Sequence, residues 1–439
     1  MKGSLMERKY PLEGLKVVDF TWVLAGPSLT RMLADHGAEV IKIERPSGDI
    51  ARDVIPFRND VRGKNLSGYY NNINRSKYAV VINLADPRGK ELAFGLIKRA
   101  DVLVENFTVG VMERLGLGYE EVAGVKPDII YVSCAPCGQT GPYKHYVAFG
   151  PNLQAIAGST YLMSFPGHEP AGFGWSYSDY AGTWPAQFAL MSALHHRKKT
   201  GKGQYIDVSQ LEGNCLLHGT GMLDYFVNGR AAQPTGNRLP HRGIVPHGAY
   251  PCKGEDRWCV ISIFTEGQWT SFCRATGNPG WIDDPRFATL QARSRNTDVL
   301  DGLIGQWTAQ RTREEVMETL QNEGVAAGMV QSSRDLMEKD PQMREYGFFK
   351  EMDHPEIGRI AYENVPFTMS ETPGEARWPA PLLGQHNEYV FGELLGLSGE
   401  QIQRLTEDKV IAPDLEAGLT VAGISVSTED LDDMTKLEK

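Results

Sequence analysis

No stretch of this chain is apolar for long enough to cross a bilayer, and the opening MKGSLMERKY has no apolar core of signal-peptide length. A cytoplasmic protein without a membrane partner is therefore expected. Positive charge is scarce: 45 Lys and Arg against 55 Asp and Glu give a net charge of −10. That balance argues against a general nucleic-acid or anionic-membrane binder, while leaving room for a local basic patch on an anionic ligand. Six cysteines in 439 residues make no disulfide framework, which fits a reducing compartment. Cys134 and Cys137 form a lone C-x-x-C with no second pair and no histidine at zinc spacing. They read as two thiols at the end of a buried strand, and no metal site is expected. Repeats and low-complexity tracts are missing. So is the G-x-G-x-x-G turn of dinucleotide binding: the first strand runs into TWVLAGPSLTRM, so neither NAD nor FAD is expected.

What the chain does have is length and alternation. At 439 residues it exceeds the usual limit of one hydrophobic core, so two domains are expected. Short apolar runs beginning at KVVDF (16–20) and EVIKIE (39–44) predict strands, as do 78–82, 101–105, 129–133 and QYIDVS (204–209). Helical patterns at 28–36 and 87–99 alternate with them. Buried strands separated by helices imply a mainly parallel sheet covered on both faces, a Rossmann-like layout. A helix stopping at Gly201 follows Asp179, with Pro185 at an early position and Arg197, Lys198 and Lys199 at the negative end of its dipole. One long helix is predicted over 210–228. The reading assigns 10–228 to a large Rossmann-like domain, 229–349 to a linker and small domain, 350–410 to a return to the large domain, and 411–439 to an acidic tail.

The stretches LEGLKVVDFTWVLAGPSLTRMLADHGAEVIKIERPSGD, DVLVENFTVGVMERLGLGYE and DYAGTWPAQFALMSALHHRKKTGKGQYIDVS resemble class III CoA-transferases, the superfamily of formyl-CoA transferase, carnitine CoA-transferase and α-methylacyl-CoA racemase. HGAYPCKGEDRW, WIDDPRF, EGVAAGMV and PLLGQHNEYV carry the likeness on, so that it covers about residues 12–405 in matching order. The resemblance implies an α/β fold with a Rossmann-like large domain, a smaller α+β domain, and two chains interlocked as a homodimer. A heteromer with a homologous chain is the alternative.

Taken alone, an Asp near a helix start is a cap or turn residue. The resemblance makes Asp179 the nucleophile, and helix-end N–H groups are expected to favour its ionised form. It implies attack on an acyl-CoA thioester, an acyl–aspartyl anhydride and an aspartyl–CoA thioester, with CoA passing to a free carboxylic acid. CoA enters as co-substrate, and no permanently bound cofactor is implied. The resemblance places CoA against Trp22, Val23, Leu24, Ala25, Arg45, Ile82, Asn106, Phe107 and Arg114. Gln139 stands where the family has an acid near the nucleophile and is a candidate to polarise an intermediate. Gly243 or Gly248 marks a candidate lid, although the family's run of consecutive glycines is missing.

The racemase branch needs a second base, a histidine in a GHDINY-like stretch. Here that stretch is AFGPN, and Phe149 takes the histidine's place, while His145 is out of register. Transfer is therefore preferred over racemisation, and over a CoA-binding subunit of a heteromeric enzyme, which would be expected to lose the acid. Arg230, Arg238, His241, Arg242 and His247 suit a second carboxylate and point to a dicarboxylic acid with succinyl-CoA as donor. Phe173, Trp175, Tyr177, Tyr180 and Trp184 suit a bulky or aryl-substituted acyl group. Ordinary packing and surface charge explain both sets equally well.

Overall fold

The computed structural model describes residues 10–239, 243–417, 419–421 and 424–426. The chain forms two compact units. The first takes in the chain up to Ser159, Phe173–Thr220 and the chain from Arg344; the second is Thr160–Gly172 with Gly221–Met343.

The first unit is built on six parallel strands: β1 (Lys16–Asp19), β2 (Glu39–Glu44), β3 (Tyr78–Val81), β4 (Val102–Glu105), β5 (Ile130–Ala135) and β6 (Gln204–Ser209). Their order is β3-β2-β1-β4-β5-β6. The chain thus winds one way from β1 to β3 and the other way from β4 to β6. Such an order opens a crevice where the direction reverses, outside the carboxyl ends of β1 and β4.

The near-continuous apolar strands follow from burial on both faces. Successive side chains point to opposite sides. Val17, Val40, Val102 and Val132 therefore meet Leu29 and Leu33 of helix α1 (Ala25–Asp35). Val18, Ile41, Val80 and Leu103 meet Leu92 and Leu96 of α2 (Pro87–Ile97) on the other side, together with Val390 and Phe391. The last two belong to a π-helical turn, Glu388–Leu394.

That late segment also closes the open edge of the sheet. His386 Nδ1 accepts from the Ala79 N–H at 3.1 Å and Asn387 Oδ1 from the Val81 N–H at 3.0 Å. The His386 N–H donates in turn to the Ala79 carbonyl at 3.0 Å. An edge strand so covered offers no row of free N–H groups to another chain.

Charged residues lie inside this unit. Lys42 stands in the middle of β2 and pairs with Asp49 at 2.8 Å, and Lys77 pairs with Asp19 at 3.1 Å. Arg52 grips Glu44 with two bonds, Nε to Oε2 at 2.8 Å and Nη2 to Oε1 at 2.7 Å. Burial pushes Glu44 up, but Arg52 outweighs it and holds the carboxylate below its usual range.

Several helices differ from the sequence reading. The helix at 28–36 begins earlier, at Ala25. The stretch expected as one helix over 210–228 breaks at Leu216–His218, a 3₁₀ turn between Gln210–Cys215 and Gly219–Asn228. Pro185 lies in the interior of its helix, which starts at Tyr177, so one i→i−4 bond is forfeited there.

The second unit carries an antiparallel sheet of β7 (His247–Pro251), β8 (Trp258–Ser262) and β9 (Ala326–Met329). Its core joins Trp269, Phe272, Phe287, Leu300, Ile304, Val316 and Leu320. Gly248 is paired within β7, opposite Ile261, and is therefore not part of a lid loop.

Replacing Arg52 by Leu strands Glu44 as an uncompensated buried charge. A loss of about 3–5 kcal/mol in urea unfolding is expected at neutral pH. A loss below about 1 kcal/mol would show that the pair does not hold the fold.

Candidate active site

The crevice at the strand reversal is a cavity of about 540 Å³. Its walls are the turns that follow the strands: Trp22–Ala25 after β1, Arg45 after β2, Ile82–Ala85 after β3, Asn106–Thr108 after β4 and Pro136 after β5. Asp179 closes it, with Val147–Gly150, Ser176 and Gln210.

The turn after β1 is the most constrained part. The Trp22 N–H donates to Asn106 Oδ1 at 2.7 Å, and Asn106 Nδ2 donates back to the Trp22 carbonyl at 2.9 Å. The Val23 N–H donates to Asp49 Oδ1 at 3.0 Å, and Lys42 Nζ donates to the Thr21 carbonyl at 2.6 Å. Val23 is thereby held at a φ of 64°, costly for a β-branched residue. Gly26 is required next: a Cβ there would come within 2.4 Å of the Thr21 side chain. With these backbone groups engaged inward, Trp22 and Leu24 face the cavity.

Arg45 lays its guanidinium 4.6 Å from the centre of the Trp22 ring, and Phe107 meets the same ring edge-on at 5.2 Å. The three form a flat cationic and aromatic group on one wall. Phe107 is fixed from below, since its N–H donates to Glu105 Oε2 at 2.8 Å. Glu105 is buried, and burial raises it to about 7 despite the Ser133 hydroxyl and this N–H.

Asp179 belongs to α7 (Tyr177–Thr200), a helix capped at Ser176. It is the third residue of the first turn, inside the helix rather than ahead of it. Burial raises its carboxyl to about 7, and a bond from the Ser176 hydroxyl offsets only part of the rise. The expectation is that helix-end N–H groups hold it low; burial raises it instead. Behind α7, glycines bring backbone against backbone. A Cβ on Gly182 would meet Gln210 Cα at 2.9 Å, and one on Gly213 would meet Gly182 Cα at 3.1 Å. This contact carries Gln210 into the wall, its Nε2 donating to the Cys134 carbonyl at 3.2 Å.

Of the residues expected to contact CoA, Trp22, Val23, Leu24, Ala25, Arg45, Ile82, Asn106 and Phe107 share this cavity with Asp179. Arg114 does not line it. It stands exposed on the short helix Val111–Leu115, whose Val111 and Leu115 do. Gln139 also stays out: Gly138, at a φ of 75°, turns the chain back so that Gln139 Nε2 donates to Ser133 Oγ at 2.7 Å. There it borders a separate small cavity of about 40 Å³ with Glu105, Tyr131 and Tyr205.

The residues expected to bind a second carboxylate are engaged elsewhere. In the second unit Arg238 bonds Asp298 and Asp301 at 2.7 Å each, and Arg230 bonds Asp224. His247 Nδ1 lies 2.7 Å from Ser262 Oγ, while His241 and Arg242 are outside the described residues. None of Phe173, Trp175, Tyr177, Tyr180 and Trp184 lines the cavity. Trp175 is 70% exposed, and Phe173, Tyr177 and Trp184 pack on one another. Gln210, Gly150, Ser176 and the 83–85 turn escaped the sequence reading. The glycines at 182 and 213, on two successive helices, were the available signal for the first.

Among the described lining residues, Arg45 and Asp179 are the ionisable ones. Phe149 is in the wall, and no second base faces Asp179 there.

Comparison with known proteins agrees with this geometry. Residues 12–387 match the family model described as CoA-transferase family III. Over 402 residues the chain is 34% identical to succinyl-CoA–D-citramalate CoA-transferase of Chloroflexus aurantiacus, covering 91% of this chain and 98% of that one. It is 32% identical to mouse succinyl-CoA:glutarate CoA-transferase, covering 91% and 90%. The structure of a CAIB/BAIF family protein from Brucella suis superposes with a TM-score of 0.81 at 30% identity, covering 88% of this chain and all of that one. The chain belongs to CoA-transferase family III.

Proposed function

We propose that this protein moves CoA from an acyl-CoA, with succinyl-CoA as donor, to a dicarboxylic acid, and that Asp179 is the group through which CoA passes. The observation that carries the reading is the placement of one carboxylate in a cavity walled mainly by the turns at the carboxyl ends of the sheet. The dicarboxylic class rests on the names of the citramalate and glutarate relatives. No aromatic residue of the 173–184 group supports an aryl substituent.

In this reading Trp22, Arg45 and Phe107 receive the adenine and phosphate end, by stacking and by charge. An Asp179 oxygen attacks the thioester carbon, the C–S bond breaks, and CoA leaves as thiolate with the electron pair. The thiolate then attacks the aspartyl carbonyl of the anhydride, releasing the donor acid and leaving CoA on Asp179. The acceptor carboxylate displaces that CoA to form a second anhydride. Thiolate attack on its acyl carbon yields the new acyl-CoA and restores Asp179. Each carbonyl addition creates an oxyanion and each anhydride is open to hydrolysis, so preplaced N–H donors and exclusion of water are both needed.

The reading also takes the chain as a homodimer. Phe188 on α7 is 77% exposed and Phe226 is 87% exposed, with Leu216, Leu223 and Val227 above 60%. Large apolar side chains left this exposed mark interfaces, and a second copy of the chain is proposed to cover them.

Four outcomes are expected. Asp179→Ala abolishes CoA exchange between succinyl-CoA and dicarboxylic acids while CoA binding by calorimetry persists; for the native protein, kcat/KM rises with pH through an apparent pKa near 7, because the ionised form attacks. Normal exchange by this variant would overturn the proposal. Asn106→Ala frees both Trp22 backbone groups and raises KM for acyl-CoA about tenfold with kcat little changed, as steady-state kinetics would report. Light scattering gives about twice the 48.6 kDa chain mass; a monomer at micromolar concentration would refute the dimer.

A further inference from the structure

Gly150 opens the short helix Gly150–Ile156 and stands against the first turn of α7. A Cβ built on it falls 2.6 Å from Asp179 Oδ2, 2.5 Å from Ser176 Oγ and 2.3 Å from Ser176 Cβ. All three are inside the closest approach that real Cβ atoms make. Its φ lies outside the left-handed region, so backbone conformation does not demand glycine here. Space does. The Gly150 carbonyl is anchored as well, accepting a buried 2.7 Å bond from Ser178 Oγ. Bare backbone is thus pressed against one side of the carboxylate and tied to the residue next to it in sequence.

We propose that Gly150 is a positioning residue: its missing side chain lets the backbone confine one oxygen of Asp179, on the side shared with the Ser176 hydroxyl, and leaves the other oxygen to attack. The inference rests on Asp179 being the nucleophile. The free oxygen, Oδ1, forms the bond to the thioester carbon. The C–S bond breaks, its electron pair leaves with the CoA thiolate, and the confined Oδ2 becomes the carbonyl oxygen of the anhydride. No proton is transferred. The wall serves two ends. It stops the carboxylate from rotating away from the thioester, and it keeps water from the side where the new carbonyl forms.

A Cβ at position 150 displaces the carboxylate by a few tenths of an ångström or more, and small misplacements at a reacting centre are expensive in rate. Gly150→Ala is expected to lower kcat for CoA exchange about 100-fold and to leave KM for acyl-CoA within about threefold. Displaced toward the cavity, the carboxyl regains water, so the rising limb of kcat/KM moves below the native position near pH 7. Gly124→Ala, where a Cβ meets nothing within 4 Å, is the control for a Gly-to-Ala change in a helix and keeps native kinetics. Native kcat together with an unmoved limb in Gly150→Ala would overturn the inference.

Ser176→Ala tests the same wall without adding an atom, should Gly150→Ala fail to fold. Losing a hydroxyl that favours the ionised form moves the limb upward and lowers kcat about tenfold; an unmoved limb there would also overturn the inference. The two levels separate cleanly. Exchange by Asp179→Ala defeats the mechanism itself. An inactive Asp179→Ala beside a native-like Gly150→Ala defeats the positioning role alone.

Discussion

The architecture of the site depends on the turn after β1 being held from within. Three side chains from three other parts of the unit, Asn106, Asp49 and Lys42, take up the backbone groups of Thr21, Trp22 and Val23. A turn with its polar groups engaged inside the protein does not need water there, and so can form the wall of a mainly apolar cavity. The strain at Val23 is a measure of how firmly it is held. It also accounts for charge inside a parallel sheet, where a lysine in the centre of β2 would otherwise be a liability. Lys42 joins the turn to Asp49, and Asp49 receives Val23 while its own N–H donates to Glu44. Glu44 in turn is fixed by Arg52. The chain of contacts starts at a buried arginine and ends at the cavity wall.

Asp179 illustrates two opposing effects at one atom group. A first-turn position in a helix favours negative charge, and removal of water disfavours it. Burial raises the carboxyl to about 7. A carboxylate stripped of water is a better nucleophile than one in solution and a poorer leaving group when acylated. In the role proposed for Asp179, the protein gains reactivity at the cost of ionising the group only near pH 7.

Much of the fold was legible in the sequence for a simple reason. Strands buried on both faces must be apolar throughout, and the runs at 16–20, 39–44 and 129–133 say so directly. The reversal of strand order was not legible, because no local pattern encodes which strand neighbours β1. Helix limits failed where tertiary contact overrides local signals. Pro185 looks like an early helical residue but lies within α7, and the apolar run after Gln210 gives no hint of the 3₁₀ break at Leu216–His218. At the site, eight of the nine residues named for CoA do share one cavity with Asp179, since they follow strands whose ends converge. Arg114 and Gln139 lie outside that cavity, because a side chain's direction depends on the turn that carries it. For Arg230 and Arg238, left open between substrate binding and surface charge, the structure shows carboxylate partners that are distant in sequence or unremarkable in it.

The cover on β3 has a consequence for how the molecule comes into being. The groups that satisfy this strand's outer N–H bonds belong to His386 and Asn387, some three hundred residues later in the chain. During synthesis the sheet therefore exists for a long interval with a bare margin, until the segment that seals it follows some three hundred residues later. A nascent chain in that interval is vulnerable to pairing with a neighbour. The pair His386 and Asn387 acts as a late-arriving guardian of the half-made sheet.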